Sequence, residues 1–458
     1  MSVLSEKMMY YMNHHIAPLA KRMENQPHIV AVRDGFIVVL PFLVVGSFIM
    51  IFLIPPFAED TQNWFGKSWW AFAKWASDYG WRFFQMSFNL ISLFTAGSIA
   101  YNLAKAYQRE PLPAAFLSIM AFMLISMPVV DEKMDVKFFG GVGLFTAIFT
   151  AIYTVELTRF LERKNIRIHL PKEVPHAVAE SLNIVIPILA ICLTLYPAAL
   201  LIEYFTGNII PQIILDFMAP LIKASDSIWT IILFVFATHL LWFFGINGSL
   251  VLMQLWTPFL LQNMGANLEA LKAGEALPFI ITNSFWDFYV VHGASGGVIA
   301  LAILLVRSKS MHLKSIGRIG LIPSIFSIGE PIVYGVPMVV NPTFFIPLIF
   351  APIVNAVIAY LILDMDLIHR IYLMAPWTTP APFGAYLVSG GDIWAPILSA
   401  GLIALDVLIY YPFFKSYEKQ CLIREQAQSN SLDAIQQEES SSIHKDLMLE
   451  KKAEQFAQ

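Results

Sequence analysis

One carboxylate, Glu330, stands inside an apolar stretch that is broken on both sides: Ile328-Gly-Glu-Pro-Ile-Val-Tyr-Gly-Val-Pro-Met-Val-Val-Asn-Pro342. A carboxylate there can bond a hydroxyl or take its proton. Lipid makes such a group costly unless it faces a cavity, a partner or a substrate. Pro331, Gly335, Pro337 and Pro342 interrupt the helix around it. Interrupted backbone at membrane depth survives only where protein or a water-filled cavity supplies hydrogen-bond partners. The stretch therefore reads as a re-entrant or unwound element lining a polar pocket. The plainer alternative is a kinked helix with Glu330 at the surface.

Three further clusters follow the same logic. In His239-Leu-Leu-Trp242-Phe-Phe-Gly245-Ile-Asn247-Gly248-Ser249, glycines flank an amide, which suits close backbone approach to a polar ligand. A tight turn with Asn247 left-handed is the other account. His239 precedes Asn247 by about two helical turns, so a shared face is expected, with His239 a buried, hydrogen-bonded histidine. In Thr282-Asn283-Ser-Phe-Trp286-Asp287-Phe-Tyr289-Val-Val-His292-Gly293-Ala-Ser295-Gly296-Gly297, an acid and an imidazole precede a glycine cluster. Either Asp287 orients His292, or each satisfies a local backbone break. In Ala375-Pro-Trp377-Thr378-Thr379-Pro380-Ala-Pro-Phe-Gly384, Trp377 offers a flat face to a sugar ring, and Thr378 and Thr379 offer hydroxyls. An interfacial aromatic anchor is the bland reading of Trp377. Amide, hydroxyl, imidazole, indole and one carboxylate suit a neutral polyhydroxylated ligand better than an anion or a metal.

The elements that must position these groups lie in a bilayer. The 458 residues are 57% hydrophobic and only 14% charged, with mean hydropathy +0.64. Soluble domains carry about a quarter charged residues, so the chain reads as an all-α polytopic membrane protein. Runs long enough to span, roughly 20 apolar residues each, fall at 36–54, 84–104, 112–130, 138–158, 182–205, 227–246, 249–264, 278–306, 343–363 and 393–414. About ten transmembrane helices with re-entrant hairpins are expected. The 249–264 run is short, and 278–306 is interrupted.

The divisions expected are a cytoplasmic amphipathic lead-in at 1–35, a scaffold half at 36–206 and an interfacial linker at 207–226. A substrate half at 227–415 and a polar tail at 416–458, loose or weakly helical, follow. The lead-in places Val3, Leu4, Met8, Tyr11, Met12 and Ile16 roughly at helical spacing. Segments 1–35, 105–111, 159–177, 307–318 and 415–458 would share one side and hold 21 of the 29 Lys and Arg residues. Positive charge marks the cytoplasmic face, so both termini are placed there. No cleaved signal peptide is expected at the polar amino terminus.

Several chemistries are disfavoured. Cys192 and Cys421 suggest neither a metal site nor a disulfide. There is no His-Glu-x-x-His and no phosphate-binding Gly-x-x-x-x-Gly-Lys-Ser/Thr, which speaks against an intramembrane metalloprotease and an ATP-driven pump. No metal, cofactor or nucleic acid is expected.

The motifs resemble enzyme IIC, the membrane component of the lactose/cellobiose branch of the bacterial phosphoenolpyruvate-dependent sugar phosphotransferase system. The resemblance runs through about residue 415. Its most specific pieces are Val32-Arg-Asp-Gly-Phe36, Leu241-Trp-Phe-Phe-Gly-Ile-x-Gly248, Gly329-Glu-Pro-Ile-x-Tyr-Gly335 with Asn341-Pro342, and Pro376-Trp-Thr-Thr-Pro380. It implies a homodimer in the bacterial inner membrane, with contact through the first half and the sugar held in the second. It implies group translocation: a phosphocysteine on a separate enzyme IIB, itself charged by enzyme IIA, phosphorylates the sugar's 6-hydroxyl. Glu330 matches the glutamate that contacts this hydroxyl and would accept its proton. Trp242, Gly245, Asn247, Asn283, Asp287, Asn341, Trp377, Thr378 and Thr379 are the expected substrate-binding residues.

One departure matters. Asn247 stands where the family pattern reads histidine, so an amide replaces an imidazole beside the sugar. His292, where a glycine is expected, is the candidate to compensate as a second catalytic group. The 307–318 loop, with Arg307, Lys309, Lys314 and Arg318, is either an enzyme IIB docking surface or simple positive-inside bias. The rivals are a proton- or sodium-coupled sugar transporter with Glu330 as proton carrier, and a sugar sensor. The sugar is left open among cellobiose, chitobiose, lactose, an oligomannoside and an aryl-β-glucoside.

Overall fold

The computed structural model describes residues 25–55, 59–130, 133–166 and 184–456, with isolated positions before residue 25 and at 168. Side chains are described as far as residue 427, except Phe84 and residues 129–134. Pro27 at the first helical position and Gln26, whose side chain accepts from Ile29 N at 2.7 Å, start α1 (Pro27–Leu53). The end of the expected lead-in is thus already helical. Its six apolar residues from Val3 to Ile16, like Arg167 and Lys172 of the basic loop, lie outside the described residues.

Helix α1 buries Ala31, Gly35, Val39, Leu43, Gly46 and Met50, one face at helical spacing. Gly35 brings it tight against α3 (Ile91–Ala106), where a Cβ would stand 2.5 Å from Ile99 Cγ1. Between them runs α2 (Trp64–Phe88), which exposes Trp64, Trp75 and Tyr79. Then come α4 (Pro111–Ser126), a two-residue hairpin of β1 (Val129–Val130) and β2 (Lys133–Met134), α5 (Leu144–Arg163) and α6 (Val185–Thr206). Helix α7 (Ile210–Ser225) meets α8 (Ile228–Phe243) at a 73° bend.

The second half is more broken. It holds α9 (Gly248–Ala273) and α10 (Asn283–Phe285), which passes directly into a π turn, Trp286–Val290. Next are α11 (Val298–Val306), α12 (Met311–Ile325) and the short α13 (Glu330–Gly335). The last are α14 (Pro342–Asp364), α15 (Ala381–Val388) and α16 (Trp394–Phe456).

Among the described residues, six helical stretches are long and apolar enough to cross a membrane, or seven if α7 and α8 form one bent span. Ten apolar runs in sequence are therefore not ten long apolar helices. Helix α4 has only 16 residues, and 278–306 is split by a turn. The run at 249–264 is not short but the front of a 26-residue helix. Its rear carries Asn263 and Asn267, and their role explains the polarity. Asn263 donates to Ile281 O at 2.9 Å. Asn267 donates to Phe279 O and Ile371 O and accepts from Phe279 N, each at 2.8 Å. Asp226 accepts from Ile280 N and Ile281 N at 2.9 and 2.6 Å. These side chains satisfy extended backbone that lipid would leave unpaired.

The largest core cluster joins Phe36, Leu43 and Met50 of α1 to Leu260, Trp286 and Leu373 of the second half. Ser47 of α1 also accepts from Met374 N at 2.9 Å. At the other end, α16 runs unbroken through residue 415 to Phe456. Its Glu418 accepts from Ser308 Oγ and Lys309 N, both at 2.7 Å. Glu425 accepts from Ser310 Oγ at 2.6 Å and His312 N at 3.0 Å. The first turns of the tail thus anchor the 307–312 loop.

Candidate functional site

Helix α8 stops because Gly245 turns left-handed, with φ +81°. Asn247 then caps α9, its Oδ1 accepting from Leu250 N at 3.0 Å. His239 and Asn247 accordingly do not share a helix face. His239 is fully buried, with Nδ1 at 2.7 Å from Val235 O and Nε2 without a protein partner. Its ring lies over that of Trp286, with centroids 6.2 Å apart.

The glycine cluster forms a second left-handed turn: Gly293, Ala294, Gly296 and Gly297 have φ +71°, +87°, +86° and +67°. A third surrounds α13, where Ser327 (φ +60°) and Val340 (φ +55°) precede and follow Glu330. A β-branched residue in this region is strained, and such strain concentrates at functional sites. Asn341 ends this segment by capping α14, accepting from Thr343 N at 3.1 Å and donating to Pro337 O at 3.2 Å.

These three breaks converge. Val340 N donates to Phe243 O at 2.8 Å, and a Cβ on Gly245 would lie 3.1 Å from Val339. Ser249 and Ser295 hydroxyls stand 3.3 Å apart. Gly329 rests on the glycine turn so closely that a Cβ there would meet Ala294 Cβ at 2.8 Å and Gly293 O at 3.1 Å. Glu330 follows at once as the first residue of α13. Its side chain is exposed and has no hydrogen bond or ion pair among the described residues. The polar pocket expected around it is, among the described residues, an open position at a junction of broken backbone.

The fourth cluster packs against the π turn: Gly384 lies flush on the Phe288 ring, and Ser284 Oγ donates to Leu373 O at 3.0 Å. Trp377 is 55% exposed, and Thr378 and Thr379 are half-buried beside it. Asp287 is half-buried and does not orient His292. Asn283 Oδ1, Trp242 Nε1 and Tyr289 Oη are buried without protein partners. Nearby, Trp256 stands edge-on to Trp286 at 6.1 Å.

His292 needs a correction. It is fully buried, with Nδ1 at 3.4 Å from Asp406 Oδ2 and Nε2 at 3.2 Å from Phe288 O. Both ring nitrogens are engaged inside the protein, so the imidazole does not stand in for Asn247 at the junction. Of the three asparagines expected to bind substrate, Asn247 and Asn341 spend their carbonyl oxygens as helix caps. Asp406 and its partner Asn355 escaped the sequence reading. The signal was present: each is a polar residue inside an apolar run, open to the same cost argument as Glu330.

The arrangement can hold a neutral ligand at an exposed carboxylate, with the Ser249 and Ser295 hydroxyls at the same junction of broken backbone. It defines a multi-pass membrane protein with a polar site built on broken helices. A family description, "Phosphotransferase system, EIIC", matches residues 33–352. The chain is 31% identical over 453 residues to the lichenan permease IIC component of Bacillus subtilis (strain 168), covering 95% of this chain and 96% of that protein. It is 30% identical over 438 residues to the lactose-specific EIICB component of Staphylococcus epidermidis, covering 93% and 73% respectively. Its fold matches the crystal structure of the transporter ChbC, the IIC component of the N,N'-diacetylchitobiose-specific phosphotransferase system. The TM-score is 0.84 at 30% identity, over 91% of this chain and 99% of that one. The chain belongs to the EIIC family of the phosphotransferase system. An EIIC is the sugar-specific membrane permease of that system; it works with an EIIB, through which the phosphoryl group is transferred.

Proposed function

We propose that this EIIC takes up a β-linked disaccharide or β-glycoside and presents its 6-hydroxyl to phosphorylated EIIB beside Glu330. The carrying observation is the convergence of three left-handed breaks on one exposed carboxylate. In the reaction, the P–S bond of phosphocysteine breaks, a P–O bond to the sugar forms, and Glu330 takes the hydroxyl proton. Positioning and charge stabilisation dominate phosphoryl transfer, which suits a site with one acid. Exposure of Glu330 supports this role, because a soluble partner must bring its phosphocysteine to the sugar.

Trp377 supplies a ring face, and Asp287 and Asn283 supply acceptors along the path to it. Relatives named for lichenan, lactose and diacetylchitobiose support β-linked sugars as the class. The chain is read as one subunit of a homodimer with both termini in the cytoplasm, its six or seven long apolar helices joined by shorter and broken ones to make about ten spans. The exposed aromatic face of α2 supports contact through the first half.

The test is a panel of β-linked sugars incubated with membranes, phosphoenolpyruvate and the soluble components. Sugar phosphate is expected for at least one sugar, and Glu330→Gln should lower its formation roughly 100-fold, within the range for general-base catalysis. Uptake of unmodified sugar, or normal turnover in Glu330→Gln, would contradict the proposal.

A further inference from the structure

A buried polar cluster lies behind the glycine turn. It contains His292, Asn355 of α14, and Ser399 and Asp406 of α16, all without exposed surface. Asn355 Nδ2 donates to both Asp406 oxygens at 2.9 Å and lies 3.3 Å from His292 Nδ1. Ser399 Oγ donates to Phe288 O at 2.9 Å and lies 3.4 Å from His292 Nε2. Burying an acid inside a spanning bundle is expensive, and removing one partner leaves the other uncompensated.

What the cluster grips is specific. A Cβ on Gly297 would lie 2.7 Å from Asp406 Oδ2, so the turn sits directly on the carboxylate. Tyr410, one helical turn further along α16, donates to Gly296 O at 2.6 Å. The same turn carries Gly329 against Gly293 and Ala294. A continuous line of contacts therefore runs from α14 and α16, through residues 292–297, to the backbone that bears Glu330.

We infer that Asp406, Asn355 and Tyr410 are positioning residues: they fix the glycine turn, and thereby set where the Glu330 carboxylate meets the sugar hydroxyl. This rests on the role proposed above for Glu330. A misplacement of about 1 Å at a reacting group can cost as much as 100-fold in rate.

The test has two independent readouts. In membranes, Asn355→Ala should lower kcat for sugar phosphorylation about tenfold per folded protein, with KM changed less than about threefold. Asp406→Asn, which retains an oxygen for the Asn355 amide, should keep more than half of kcat. Separately, Asn355→Ala should change the thiol-labelling rate of Glu330→Cys at least about threefold, in a background without Cys192 and Cys421. That readout needs no catalysis. If Glu330 has another role, Glu330→Gln keeps its activity while the labelling shift persists. Should Asn355→Ala not accumulate, Tyr410→Phe, which removes a single hydrogen bond, carries the same two readouts. Unchanged kcat per folded protein together with unchanged labelling, or loss confined to the amount of folded protein, overturns the inference.

Discussion

The two halves of the chain treat their backbone differently. Before residue 209, left-handed residues among those described are Gln108, Asn165 and Gly207, each just beyond a helix end. After it they include Gly245, Gly293, Ala294, Gly296, Gly297, Ser327 and Val340, gathered around one carboxylate. Buried polar atoms divide likewise. Among the described residues, those lacking a protein partner before residue 209 are the hydroxyls of Thr95, Ser126 and Thr146; those after it include indole, amide, imidazole and phenol groups. Regular helices can be satisfied by their own backbone, whereas broken ones must be held by side chains. The lesson is that polarity in the second half serves two tasks, and only part of it faces the ligand.

Substitutions at three small or polar positions sharpen that contrast. The largest effect is expected at Gly329→Ala. Its Cβ would overlap the glycine turn, and overpacking of this kind costs about 1–3 kcal/mol. Sugar phosphorylation should drop at least tenfold by the misplacement argument, measured per folded protein. Activity equal to that of the unaltered chain would show that the close approach does not position Glu330.

An intermediate effect is expected at Asn247→Ala, where loss of the α9 cap costs about 1 kcal/mol in thermal stability. Asn247→Asp keeps the capping oxygen and should restore both stability and KM. A raised KM in Asn247→Asp with full stability would instead make Asn247 a sugar contact. Smallest is Gly207→Ala: no atom lies within 4 Å of the new Cβ, so only left-handed strain of about 1 kcal/mol is added. Turnover should not change; a turnover defect there would erase the distinction between the halves.

Much of this contrast could be read from residue types. Proline and glycine around Glu330 announced broken backbone, and the cluster 293–297 announced an interruption of the 278–306 run. The structure bears out both. The partners of those breaks were not legible, because they come from distant elements. Asn267 pairs with Phe279 and Ile371, and Asp406 with His292, across separations that no local pattern reports. His292 was misread for the same reason: Asp287, close in sequence, makes no hydrogen bond to it, whereas the distant Asp406 does. Asn247 was open between ligand contact and a left-handed turn, and Asn341 was expected at the substrate; the geometry makes both of them helix caps. An acid beside helix breakers implies water access, but sequence does not distinguish a sealed chamber from an open junction.

The most direct measurement follows the fate of position 330 in the membrane. In a chain carrying Cys192→Ser, Cys421→Ser and Glu330→Cys, a water-soluble maleimide should label the new thiol, and a transported β-linked sugar should slow that labelling. Reaction only with a lipid-soluble reagent, or a rate indifferent to every sugar that the unaltered chain phosphorylates, would contradict a sugar site at Glu330.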